Sequence, residues 1–194
     1  MRKVFLENFA QKKADGAYNK LSGKRISACV PMHTFGLPCR IAEIAEICAE
    51  WDIVLIEDAA ESLGSYVGSR HTGTFSSMAT LSFNGNKTIT TGGGGAILTN
   101  NSELAHQAKH VTTTAKLPHR WEYLHDQIGF NYRLPNLNAA LGCAQLEQLP
   151  TFLDSKRALF ESYRAAFQTI SGAGIVQELE SCRSNYWLQT LKLS

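Results

Sequence analysis

The run Ile53-Val54-Leu55-Ile56-Glu57-Asp58 decides the fold: four apolar residues, then two acids. Four apolar residues in a row, with no polar alternation, read as an apolar strand. Upstream, Ile26-Ser27-Ala28-Cys29-Val30-Pro31 has the same character, and Gly36 and Pro38 break it. Between the two, Ile41, Ile44, Ala45 and Cys48 fall at i, i+3, i+4 and i+7, which is one face of a helix. Strand, helix and strand within about thirty residues predict a βαβ unit with parallel strands.

Further along, Ala79-Thr80-Leu81-Ser82-Phe83 and Ala96-Ile97-Leu98-Thr99 are the third and fourth strand candidates. The Gly-, Ser- and Thr-rich stretch 64–74 reads as a loop or short hairpin. Asn100 is the expected cap of a helix from Ser102, with Glu103 three residues on as its capping-box partner. Residues 112–133 lack periodicity and read as a long functional or interface loop. Helices are expected over 136–148 and 151–167. The polar start, residues 1–23, shows only a turn at Asp15-Gly16. The class is therefore α/β, with a mostly parallel sheet flanked by helices.

The formal net charge is +2, from 19 basic and 17 acidic residues, and gives no footprint for nucleic acid or an anionic membrane. No apolar run approaches a transmembrane span or a signal peptide. Five cysteines without CxxC spacing argue against a zinc or redox site and fit a reducing cytoplasm, so no metal is expected. Cys48 and Cys143 lie in helical apolar patterns and are expected in the core.

Two positions suggest chemistry. Asp58 ends a strand, and ligands of open α/β sheets gather at carboxyl ends of strands. A carboxylate there could hold a cationic ring nitrogen, a ribose hydroxyl or a metal, or simply cap a helix. Lys87 follows another strand in Leu81-Ser82-Phe83-Asn84-Gly85-Asn86-Lys87-Thr88, ahead of four glycines, Gly92 to Gly95. Such a lysine is a candidate Schiff-base nucleophile, or a surface lysine beside a loop. A Walker A loop needs Gly directly before Lys-Ser/Thr, whereas Asn86 precedes Lys87-Thr88, and no GxGxxG opens a helix.

Together, Val30-Pro31-Met32-His33-Thr34-Phe35-Gly36, Glu57-Asp58-Ala59-Ala60-Glu61, Phe83-Asn84-Gly85-Asn86-Lys87 and Gly129-Phe130-Asn131-Tyr132-Arg133-Leu134 resemble the DegT/DnrJ/EryC1/StrS family of aminotransferases, which depend on pyridoxal 5'-phosphate (PLP). The likeness runs from Val30 to the C-terminus. It implies the large domain of a fold-type I PLP-dependent transferase over residues 1–150, incomplete. Residues 151–194 would be a linker helix and the truncated start of a small C-terminal domain.

The resemblance also implies roles. Asp58 would pair with the pyridine nitrogen, Lys87 would carry the cofactor and shuttle a proton, and Ser82 would bond the cofactor phosphate. Glu61 would lie close to the ring. Asn131 would reach across a homodimer interface to the neighbouring subunit's phosphate. His33 would lie near the site or serve the structure. A family subgroup with His in place of the lysine performs dehydration, so Lys87 implies transamination. The substrates implied are a keto-sugar on a nucleotide carrier and an amino-acid donor, usually glutamate. The nearest branch aminates UDP-linked 4-keto-6-deoxy-HexNAc sugars for surface glycans.

Family members are about twice as long, so a fragment or truncated product is expected. It would lack a preceding phosphate cup and a ring-stacking aromatic, and its uncovered sheet face would be prone to association. Two rival readings are an inactive remnant that keeps the fold core and dimer surface, and a nucleotide-sugar binder without chemistry.

Overall fold

The computed structural model describes residues 2–194. After a short helical segment, Arg2–Leu6 and Glu7–Phe9, comes a hairpin with β1 (Ala10–Lys13) antiparallel to β2 (Gly16–Asn19). Its lysines face solvent, while Ala10 and Ala17 are buried and join the core. This hairpin was not legible beyond its turn, because only those small residues mark its inner side.

The expected βαβ unit follows as β3 (Ala28–Cys29), α1 (Ile41–Glu50) and β4 (Val54–Asp58). β3 and β4 run parallel, with Ala28 opposite Val54 and Cys29 opposite Leu55. Ile41 and Cys48 of α1 are buried in one cluster with Ile53 and Leu55, and Ile44 and Ala45 pack against it. The helical stripe thus covers one face of the sheet, as its spacing requires.

Residues 64–74 form a hairpin of β5 (Tyr66–Val67) and β6 (Arg70–His71), turning through Gly68 at φ +59°. β7 (Met78–Ser82) returns parallel to β4, and β8 (Gly95–Leu98) lies antiparallel to β7. The main sheet has the order β3-β4-β7-β8, mostly parallel with an antiparallel edge.

Three helices follow: α2 (Ser102–Thr112), α3 (Asn136–Glu147) and α4 (Leu149–Phe167). The cap of α2 is Asn101, not Asn100. Its Oδ1 accepts from the main-chain N–H of Glu103 at 2.9 Å and of Leu104 at 3.0 Å. Cys143 is exposed on α3 rather than buried, whereas Cys48 is in the core. The loop between α2 and α3 is irregular, as expected, and is pinned by bridges Thr113–Asn131 and Lys116–His125.

Three short strands end the chain: β9 (Ala173–Ile175), β10 (Cys182–Arg183) and β11 (Leu191–Leu193). β10 adds to β5, and β11 pairs with β9. Among the described residues no helix is long and apolar enough to cross a membrane.

Candidate active site

Strand alternation sorts the candidates by face. Asp58 is paired with Thr80 across β4 and β7, and Ser82 lies two residues beyond Thr80. With a period of two, Asp58, Thr80 and Ser82 share one face at the carboxyl ends of adjacent parallel strands. That face is the less covered one: Val54 is 53% exposed and Ile97 43%. Glu57 and Leu55 point the other way and are buried.

Lys87 is brought to the same sheet end by the turn after β7, where its N–H donates to Asn84 O at 3.1 Å. Its Nζ lies 3.6 Å from Glu61 Oε1, with the two side chains only 15% and 16% exposed. Glu61 sits three residues past Asp58 and is held from its other oxygen, since Phe35 N–H donates to Oε2 at 2.7 Å. Phe35 is in the left-handed region at φ +59°, a conformation that costs a non-glycine residue about 1 kcal/mol or more. The Glu61 carboxylate thus joins a strained turn to the Lys87 amine.

Asp58 is half-buried, and its Oδ1 accepts from Ala60 N–H at 3.1 Å. Among the described residues Oδ2 accepts no hydrogen bond, which leaves it available to a ligand N–H. Ser82 Oγ accepts from Asn84 N–H at 3.3 Å and keeps its own proton to donate. An amine, a carboxylate and a hydroxyl at one sheet end form a donor set that suits a pyridinium aldehyde bearing a phosphate.

His33 and Asn131 stand apart from this group. The His33 side chain is fully buried on the Glu57 side of β4. Its Nδ1 accepts from Cys39 N–H at 3.2 Å, so the ring proton is on Nε2, 3.1 Å from Glu57 Oε2. Glu57 also accepts from the main-chain N–H of Gly73 (2.7 Å), Phe75 (2.6 Å) and Ser76 (3.0 Å). Burial pushes the Glu57 carboxyl up, but the bonds from His33, Gly73, Ser76 and Phe75 outweigh it and hold the acid below its ordinary range. Both nitrogens of His33 are therefore committed to the structure. Asn131 is exposed on the loop after α2.

Two residues beside Lys87 escaped sequence reading: Asn185 and Trp187, both buried. Their partners are 97 to 124 positions earlier in the chain, and no local pattern signals such contacts. A cleft of about 720 Å3 lies between β8 and α2, lined among others by Thr80, Gly94, Ile97, Lys109 and Leu134. It borders the glycine run, but Asp58, Glu61 and Lys87 do not line it.

Comparison with known proteins identifies the family of the chain. The model of the DegT/DnrJ/EryC1/StrS aminotransferase family matches residues 13–194. The chain is 37% identical over 174 residues to the putative pyridoxal phosphate-dependent aminotransferase EpsN of Bacillus subtilis, covering 90% of this chain and 45% of that protein. It is 36% identical over 167 residues to a GDP-perosamine synthase of Escherichia coli O157:H7, covering 86% and 45%. Among solved structures, the aminotransferase TlmJ from Streptoalloteichus hindustanus superposes with a TM-score of 0.85 at 28% identity, over 90% of this chain and 48% of that one. The chain spans about half the length of the curated relatives it matches.

Proposed function

Because the chain belongs to the DegT/DnrJ/EryC1/StrS aminotransferase family, we propose that it is the cofactor-binding part of a PLP-dependent sugar aminotransferase working in the cytoplasm. Its substrate is a nucleotide-linked keto-deoxysugar, and glutamate is the amino donor. The observation that carries this reading is the Lys87 amine, 3.6 Å from Glu61, at the sheet end where Asp58 and Ser82 share a face. In this reading residues 1–150 belong to the large domain, and residues 151–194 lead into the small one.

PLP, when bound, supplies an electron sink for the carbon that loses its proton. Lys87 Nζ would hold the cofactor and would be the group that moves a proton. Glu61 Oε1 faces that nitrogen and holds the ammonium. Asp58 Oδ2 would accept from the pyridine N–H and keep it protonated. Ser82 Oγ donates to the phosphate and fixes its orientation. Asn131, exposed on its loop, serves the phosphate of a second copy in a homodimer.

The test is direct. The purified chain is mixed with PLP, its visible spectrum is recorded, and the mixture is reduced with borohydride and mapped by mass spectrometry. A visible band with the label on Lys87, both lost in Lys87→Ala, is the expected result. Asp58→Asn should retain the label but weaken binding. Label scattered over surface lysines would favour the inactive-remnant reading instead. For the sugar, a UDP-linked 4-keto-6-deoxy-HexNAc is the substrate proposed. A GDP-linked keto-sugar is the competitor, because three relatives are named GDP-perosamine synthase.

A further inference from the structure

We propose that Trp187 is a positioning residue for Lys87, acting through its indole N–H on the main chain and through its ring face on the amine. The proposal rests on the reading of Lys87 as the cofactor lysine.

Trp187 makes two contacts of different kind at one place. Its Nε1–H donates to Asn86 O at 2.7 Å, the carbonyl directly before Lys87. Its ring lies beneath Lys87 Nζ, 4.3 Å from the ring centroid. A lysine side chain has four rotatable carbons and swings freely unless its stem and head are both held. Here Glu61 holds the head from one side and the indole from another, while the N–H bond fixes the backbone from which the stem departs.

The indole is itself fixed. Trp187 N–H donates to Asn185 Oδ1 at 2.8 Å. Asn185 Nδ2 lies 2.8 Å from Glu61 O, 2.9 Å from Leu63 O and 3.3 Å from Thr88 Oγ1. One asparagine therefore ties the segment carrying Glu61 to the segment carrying Lys87, with Trp187 locked onto both. Ordinary core packing requires none of this polar continuity. A chemistry that needs one amine presented along one direction does require it, since small misplacements of a reacting group are expensive.

The variant that separates the roles is Trp187→Phe. It keeps an apolar ring but removes the N–H anchor from the carbonyl of Asn86, itself an exposed residue. Lys156 supplies an internal reference, because its Nζ donates to the main-chain oxygen of Trp187 at 3.0 Å. Competitive acetylation with acetic anhydride, without PLP, would be read at both lysines by mass spectrometry. Loss of the indole's hold should raise acetylation of Lys87 several-fold while Lys156 stays at the wild-type rate. Trp187→Leu, which also removes the π face, should raise it further; if that variant does not fold, Trp187→Phe decides alone.

A common rise at Lys87 and Lys156 would mean general loosening of the C-terminal segment and would overturn the proposal. An unchanged Lys87 would overturn it too. With PLP added, Trp187→Phe should slow formation of the borohydride-fixed label on Lys87. If wild-type protein takes no label there, the cofactor reading falls, while the acetylation ratio still decides whether Trp187 positions the amine.

Discussion

His33 and Glu57 hold each other at 3.1 Å with neither side chain exposed, and Glu57 is one residue from Asp58 on the opposite face of β4. The pair anchors β4 from beneath. It joins the turn after β3 to the main-chain N–H groups of Gly73, Phe75 and Ser76, so that Asp58 leaves the sheet at a fixed height. A carboxylate that accepts from several donors cannot be replaced by an amide, because the amide's own N–H2 would face those donors. Glu57→Gln is expected to lower stability by on the order of 3 kcal/mol. Urea denaturation checks this, and a midpoint equal to wild type would show that the network carries no stability.

The same network sets an acid limit. The Glu57 carboxyl is held below its ordinary range in the folded protein. A depressed folded value gives stability that is present above the unfolded value and is lost as pH falls through the folded one. The loss should therefore begin as pH drops below about 4.3, the ordinary glutamate value, and deepen further down. Unfolding free energies of wild type and Glu57→Gln should converge over that window. Parallel curves would assign the acid limit to other groups.

Asn101 caps α2 through two main-chain N–H groups. Asn101→Ala should cost about 1 kcal/mol, as loss of a side-chain cap does. Asn100→Ala should stay within about 0.5 kcal/mol. Equal effects in thermal unfolding would argue that the cap does not belong to Asn101 alone.

Legibility tracked the range of the forces involved. The βαβ unit and the later helices follow from local apolar spacing, whereas the Gly, Ser and Thr content of residues 64–74 left a loop and a short hairpin equally open. Neighbouring asparagines blurred the α2 cap, because Asn100 and Asn101 offer the same chemistry and only φ/ψ chooses between them. Strands of two or three residues such as β10 and β11 carry no period to detect. Glu61 and Lys87 meet at 3.6 Å where the turns after β4 and β7 adjoin, and Asp58 and Ser82 share a face of those two strands by their register. Asn185 and Trp187 were invisible, since their roles depend on packing against residues about a hundred positions away. His33 was quoted with the site for its place in the chain, but the alternation of β4 puts its partner Glu57 on the other face.

Gly129 lets the loop carrying Asn131 cross the end of α2. A Cβ there would stand 2.4 Å from Thr114 C and 2.5 Å from Ala115 N, both main-chain atoms that cannot swing aside. Gly129→Ala should break the ties of Phe130 N–H to Val111 O and Tyr132 N–H to Thr112 O, and lower the thermal midpoint. Asn131→Ala changes an exposed side chain, and its midpoint should match wild type. If Asn131 serves a second copy, both variants should retain PLP more weakly, as read by the visible band after gel filtration. Undiminished retention in Asn131→Ala would remove that residue from the cofactor site.

Gly36 gives the sharpest test of the Asn185 staple. Its φ is +88°, and a Cβ there would lie 1.7 Å from Asn185 Oδ1, the atom that accepts from Trp187 N–H. Gly36→Ala must therefore push Asn185 off its partners as well as strain the turn. Gly68 is the matched control: its φ is +59° and nothing lies within 4 Å of an added Cβ. Gly68→Ala should cost about 1 kcal/mol for the left-handed backbone alone. Gly36→Ala should cost at least about 2 kcal/mol more, because a buried, fully bonded amide is displaced. The excess isolates the staple from backbone strain, and equal losses in chemical denaturation would mean that Asn185 can leave its place without consequence.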